Sequence, residues 1–146
     1  MKEANINDFV SNIKGKITMV KLLQDEEATD TAKFVFNDIK QTFGMIPNLF
    51  KAIAAADPCW LEMNWYREKK IMIEEGPLDR KTRELIAFAV SVINNCEYCS
   101  LTHEKMARMQ GASEEEINHA RQVIELFASF NAIANSFPDL PCDIKP

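Results

Sequence analysis

The 146-residue chain is 47% hydrophobic and 27% charged, which is the size and composition of one ordinary globular domain. Its formal net charge of −5 argues against nucleic-acid binding, and its longest nearly unbroken apolar run, Leu85–Ile93, contains Ser91 and is too short to span a bilayer. Since the polar first ten residues do not resemble a signal peptide, we expect a cytoplasmic protein with no nucleic-acid or membrane partner.

The first half of the chain predicts short helices separated by proline and glycine turns. Residues 1–18 form a weakly specified arm in which Gly15 interrupts any helix, and residues 19–146 are predicted to form a single domain. Gly44, Pro47 and Pro58 mark the turns between the helices. Helices are predicted over residues 28–42, 49–55 and 58–73.

The second half predicts three further helices, so the fold class is all-α. The segment Asp79–Ile93 is apolar around nearly its whole circumference, which predicts a central and fully buried helix. Asn94–Asn95 ends it and caps a helix over Cys96–Gln110. Ser113 and Glu116 form a capping box for the last helix. Its predicted buried stripe comprises Ile117, Ala120, Ile124, Phe127 and Ala134.

The chemistry is predicted to centre on Cys96, Cys99 and His103. In a reducing compartment, four cysteines indicate free thiols, metal ligands or a redox pair rather than a structural disulfide framework. The spacing of three and then four residues places these three side chains on one helical face. Cys96 falls in the first turn, where the helix dipole favours the reactive thiolate. Oxidation can close a short disulfide, which makes the pair a reversible two-electron centre.

Glu84 is the predicted fourth member of this site. If the two helices on either side of Asn94–Asn95 run antiparallel, Glu84 and His103 lie at nearly the same level along the hairpin. Glu84 begins an apolar stretch, and a buried carboxylate needs a partner. We therefore predict a proton relay from Glu84 to His103 and on to Cys99.

The pattern Glu84, Cys96–Glu97–Tyr98–Cys99 and His103 resembles the signature of the carboxymuconolactone decarboxylase/alkylhydroperoxidase D superfamily, in its dithiol-bearing, AhpD-like branch. The lead-in Leu78–Ala87 and the upstream Gly44–Leu49 are similar to elements of the same family, as are Phe130–Asn131 and Ala134–Asn135 near the end of the last helix. The resemblance covers roughly residues 20–137. It implies an AhpD-like helical domain whose central buried hairpin carries the Cys-x-x-Cys segment.

The resemblance also implies a function and roles for the site residues. Cys99 matches the peroxide-attacking cysteine, Cys96 matches its more accessible resolving partner, and Glu84 with His103 matches the relay. Implied partners are a peroxide or small disulfide, an external dithiol reductant such as a thioredoxin-like or lipoyl protein, and further copies of the chain in a trimer or hexamer. Neither cofactor nor metal is implied. Tyr98 departs from family peroxidases that have a second histidine at this position.

Other interpretations of the same residues remain open. The first is a thiol–disulfide exchange or redox-sensing module with little peroxidase activity. The others are a non-enzymatic assembly protein, a lactone decarboxylase, two inert buried thiols, and half of a zinc site completed by His103 or His119. His119 is predicted to lie on the surface, Cys59 and Cys142 are predicted to be bystanders, and Trp60 and Trp65 are predicted to make core or subunit contacts.

Overall fold

A computed structural model describes residues 20–144, and every regular element within that range is helical. The all-α prediction is confirmed, while the predicted arm over residues 1–18 lies outside the described residues. A 3₁₀ turn over Asp25–Glu27 comes first, and a π-helical turn over Lys69–Ile73 follows the third helix. The helices are α1 (Asp30–Phe43), α2 (Asn48–Ala56), α3 (Pro58–Glu68), α4 (Arg80–Ile93), α5 (Glu97–Met109) and α6 (Glu114–Asn135).

The described residues group into two compact units that divide between Glu68 and Lys69. The first contains α1 to α3 and the second contains α4 to α6. The single domain over residues 19–146 stays a prediction. None of the helices in the described range is both long and apolar enough to cross a membrane.

The first unit is built around an aromatic core. Phe36 and Leu61 are fully buried, and Trp65 packs edge-on against Phe43 and Phe50 with ring centroids 5.5 Å apart in both pairs. The indole N–H of Trp65 donates to a carboxylate oxygen of Asp38 at 2.7 Å, so the one polar atom of this buried ring is satisfied. Trp65 is thus a core residue as predicted, whereas Trp60 is half-exposed.

The second unit is organised by an antiparallel hairpin of α4 and α5. The connection turns at Asn95, whose positive φ of 54° is a left-handed conformation that asparagine tolerates better than most residues. α6 packs beside α4, and an ion pair of 2.7 Å joins Lys81 to Glu116 across them. The predicted capping box at the start of α6 is confirmed, because Ser113 and Glu116 exchange side-chain and backbone hydrogen bonds.

Two predictions of burial in this unit are wrong. α4 is buried along one face only, through Glu84, Phe88 and Ser91, whereas Val90 on another face is 55% exposed. On α6, Ile117 and Ile124 are buried, but Phe127 is 56% exposed and Ala134 is exposed too. The physical reason is that α5 and α6 cover only part of α4, so several of its apolar residues stay exposed within the unit. Periodicity identifies apolar faces but not what covers them.

Candidate active site

Cys96 and Cys99 are joined by a disulfide at the start of α5, with their Cα atoms 5.3 Å apart. Cys96 is the N-cap residue, in place of the predicted Asn94–Asn95, because Asn95 is used for the left-handed turn of the hairpin. The backbone N–H of Cys99 donates to the sulfur of Cys96 at 3.3 Å. Both cysteines are half-buried, so the pair is accessible from solvent.

This capping arrangement bears on the chemistry of the reduced pair. An N-cap side chain normally accepts a hydrogen bond from the unpaired N–H groups of the first helical turn. At Cys96 the acceptor is sulfur, and a thiolate accepts such a bond more strongly than a thiol, while the helix dipole adds further stabilisation. When the disulfide opens, the local geometry therefore favours negative charge on the sulfur of Cys96.

Glu84 and His103 are in contact across the hairpin, in agreement with the prediction that they lie at nearly the same height along it. One carboxylate oxygen of Glu84 (Oε2) lies 2.8 Å from Nδ1 of His103. The Glu84 side chain is 1% exposed and the His103 side chain is 25% exposed. Because an ionised carboxylate can only accept, the imidazole donates through Nδ1–H, and in the neutral ring the free lone pair is therefore on Nε2.

Arg80 is a site residue that the sequence-based reasoning missed. Its Nε donates to the other oxygen of Glu84, Oε1, at 2.7 Å. Burial alone would raise the pKa of the Glu84 carboxyl, but the hydrogen bonds from His103 and Arg80 outweigh it, and the pKa lies below its ordinary value. The signal that could have identified Arg80 is its spacing of four residues from Glu84 on a predicted helix.

The last step of the predicted relay is proton transfer between His103 and Cys99. For this step the structure shows a shared helical face but no hydrogen bond between the two side chains. His103 follows Cys99 by four residues on α5, so both side chains lie on one face of that helix. Within residues 20–144, His103 is hydrogen-bonded to Glu84 and to neither cysteine in this disulfide form. The structure therefore assembles two pairs, the dithiol and the carboxylate–imidazole, on one hairpin. Their catalytic roles stay a prediction.

The other candidate residues take no part in the bonds that define this site. Cys59 and Cys142 are exposed free thiols, which fits the prediction that they are bystanders. His119 is exposed on α6, in agreement with its predicted surface position. Among the described residues, no three His, Cys, Asp or Glu side chains are grouped in a way that could hold a metal ion.

A helical hairpin that carries both a Cys-x-x-Cys disulfide and a buried carboxylate–imidazole pair defines an all-α protein with a dithiol–disulfide site. The sequence profile of the Carboxymuconolactone decarboxylase family matches residues 60–138, and the chain belongs to that family. The crystal structure of an alkylhydroperoxidase AhpD core from Rhodospirillum rubrum is similar at a TM-score of 0.79 and 35% identity, over 87% of this chain and 95% of that one. The predicted superfamily and AhpD-like fold are confirmed.

Curated relatives also match over shorter stretches. Uncharacterized protein 4 in cox locus, from Paracoccus denitrificans, is 36% identical over 70 residues, which is 48% of this chain and 59% of that protein. Alkyl hydroperoxide reductase AhpD from Mycobacteroides abscessus is 35% identical over 63 residues, 43% of this chain and 36% of that protein. The matched region thus spans less than two thirds of either relative.

Proposed function

We propose that the protein is a thiol-dependent, peroxidase-like oxidoreductase that cycles Cys96 and Cys99 between dithiol and disulfide. The observation that carries the proposal is the disulfide itself, formed at a helix start on the same hairpin as the Glu84–His103 pair. Similarity to two proteins named for alkyl hydroperoxide reduction supports the same chemistry. A lactone decarboxylase would have no use for two sulfur atoms within bonding distance.

In the oxidative half of the cycle, Nε2 of His103 takes the proton of the Cys99 thiol, and the Cys99 thiolate attacks one oxygen of the peroxide O–O bond. That bond breaks, Cys99 becomes a sulfenic acid, and the alkoxide leaves as an alcohol after taking a proton from His103. The Cys96 thiolate then attacks the Cys99 sulfur and displaces hydroxide, which leaves as water. The balance is one peroxide and two thiols converted to one disulfide, one alcohol and one water.

In the reductive half, an external dithiol such as a thioredoxin-like or lipoyl protein attacks Cys96. A mixed disulfide forms, Cys99 leaves as a thiolate, and the second external thiol then releases Cys96. His103 carries protons to and from Cys99, while its Nδ1–H stays hydrogen-bonded to Glu84. Since the cycle needs a compartment in which dithiols are kept reduced, we propose the cytoplasm as its location.

Mass spectrometry of the reduced protein after one equivalent of an organic hydroperoxide tests this function. We expect one alcohol per chain and conversion of Cys96 and Cys99 to the disulfide, with Cys59 and Cys142 still free. Catalytic turnover should follow when a dithiol reductant is added. The proposal would be contradicted if all four cysteines were oxidised. It would also be contradicted if Cys96 and Cys99 reacted with the hydroperoxide no faster than a free thiol does.

The alternative function is thiol–disulfide exchange or redox sensing with little peroxidase activity. It is favoured by Tyr98, which occupies the position where some peroxidases of the family have a second histidine and which is 44% exposed beside the disulfide. The alternative predicts a readily reducible disulfide together with negligible peroxide turnover. Redox titration beside the peroxide assay therefore separates the two functions.

We also propose that the protein works as a homo-oligomer, in which a second copy covers the exposed apolar groove between α4 and α6. The groove has two adjoining parts of about 360 and 460 Å³. Apolar side chains from both helices line it, and they include Ile86, Val90, Ile93, Val123 and Phe127. Exposed apolar side chains that are grouped in one groove, rather than scattered singly, are a reason to expect a partner there.

Size-exclusion chromatography with light scattering checks the assembly. We expect a trimer or hexamer for the unaltered chain and dissociation for Phe127→Glu, because the new charge would be buried without a partner. Phe34→Glu, at a residue on α1 that is exposed outside the groove, is the matched control and should leave the mass unchanged. A monomer for the unaltered chain would reject the proposed assembly.

A further inference from the structure

The first turn of α4 carries an unusual concentration of positive charge. Arg80, Lys81 and Arg83 all lie near the helix N-terminus, where the helix dipole disfavours cations, and the first turn holds no acidic residue. Two of the three are explained by bonds elsewhere. Lys81 pairs with Glu116 on α6, and Arg83 donates to the backbone carbonyls of Ile71 and Glu74 at 2.7 and 2.9 Å.

Arg80 instead turns along its own helix toward the buried carboxylate. The two oxygens of Glu84 accept from different donors, Oε1 from Arg80 and Oε2 from His103. The Arg80 side chain is itself largely buried at 17% exposure. A guanidinium keeps its charge at every pH relevant to the protein, whereas an imidazole gains and loses its charge, so only Arg80 provides Glu84 with a permanent counter-charge.

We infer that Arg80 is a positioning residue, which keeps Glu84 ionised and aimed at Nδ1 of His103 throughout the cycle. The inference rests on the proposed function, in which His103 exchanges protons through its other nitrogen. An ionised Glu84 accepts the Nδ1–H bond and so holds the tautomer whose Nε2 can take a proton. A protonated Glu84 could donate to Nδ1 instead, which would favour the opposite tautomer with its proton on Nε2.

Removal of Arg80 should change the ionisation of Glu84. Burial is the largest influence on the pKa of this carboxyl and raises it, while Arg80 and His103 lower it. The charged groups bonded to Glu84 are Arg80 on its own helix and His103 on α5, and within the described residues α6 contributes none. In Arg80→Met the raising influence remains and one of the two lowering partners is lost, so Glu84 protonates at a higher pH.

The test compares Arg80→Met with Lys81→Met, a matched control that removes the neighbouring charge without touching Glu84. Carboxyl ¹³C NMR of glutamate-labelled protein, with the Glu84 signal assigned through Glu84→Gln, follows ionisation independently of activity. We expect the Glu84 midpoint to rise by about one pH unit or more in Arg80→Met and to stay unchanged in Lys81→Met. In the pH profile of peroxide reduction, the midpoint on the acid side should move to higher pH by the same amount. Below that midpoint the rate should fall about tenfold for each pH unit.

Arg80→Lys keeps a charge at the same position and should restore most of the midpoint. Arg80→Gln, which keeps a donor without the charge, provides a second uncharged variant if the methionine variant folds poorly. An unchanged Glu84 midpoint in the uncharged variants overturns the inference. If the midpoint moves as expected while the unaltered protein reduces no peroxide, the positioning role of Arg80 stands and the proposed function fails.

Discussion

Replacing Cys99 with serine is expected to lower peroxide turnover by about 10³-fold or more, because a serine hydroxyl neither ionises near neutral pH nor forms a sulfenic acid. Cys96→Ser should behave differently. Cys99 would still react once, but with no resolving thiol one helical turn away the sulfenic acid would accumulate. Peroxide consumption in the presence of a dithiol reductant, combined with a sulfenic acid trap, measures both outcomes.

Cys59→Ser and Cys142→Ser are the matched controls, since each removes an exposed thiol that lies outside the disulfide. Both should retain the turnover of the unaltered protein. Full turnover in Cys99→Ser would reject the assigned nucleophile. A sulfenic acid trapped at Cys96 in Cys99→Ser, at the normal rate, would exchange the roles of the two cysteines.

The part of the site that sequence reasoning captured depends on short-range helical geometry. Cys99 and His103 lie on α5 four residues apart, so their spacing alone places them on a common face, and Cys96 is the N-cap of the same helix. The Glu84–His103 contact required only one further assumption, that a three-residue connection folds the two helices back on each other. The observed 2.8 Å distance confirms the level that was predicted for these two side chains.

Three features of the structure could not be predicted from the sequence pattern alone: the cap of α5, the exposed faces of α4 and the role of Arg80. Each depends on which contacts the folded chain makes. Asn95 was a reasonable cap for α5, but the hairpin needs a left-handed residue at that position, and the cap falls to Cys96. The apolar circumference of α4 predicts full burial, but the neighbouring helices cover only one face of it. Arg80 was missed because a first-turn cation on a helix is ordinarily solvated, and only its bond to Glu84 distinguishes it from Lys81.

Glu84→Gln is expected to have the second large effect, with losses in both activity and stability. An amide cannot hold the imidazole in one tautomer as an ionised carboxylate does, so general acid–base catalysis by His103 should fall by about 10²-fold or more. The amide also carries no charge to balance Arg80, whose guanidinium is largely buried beside it. Breaking one side of such a pair should lower the free energy of unfolding by about 3 kcal/mol or more.

The stability difference should depend on pH in a defined direction. The pKa of the Glu84 carboxyl is lowered in the folded protein, because hydrogen bonds from His103 and Arg80 outweigh the effect of burial. Stability from this group is therefore fully present above the pKa of an unfolded glutamate, and it is lost as the pH falls through the lower folded value. The difference between the unaltered protein and Glu84→Gln should shrink as the pH falls through the folded pKa of Glu84.

Denaturant unfolding of both proteins across this pH range, beside peroxide assays, checks the prediction. Glu104→Gln is the matched control, since Glu104 follows His103 on α5 but pairs with Arg108 at 2.8 Å and Arg121 at 2.7 Å. It is more exposed than Glu84, so its removal should cost about 1 kcal/mol or less and leave turnover intact. Equal losses of turnover in the two variants would mean that the carboxylate of Glu84 stabilises the hairpin but has no specific part in proton transfer at His103.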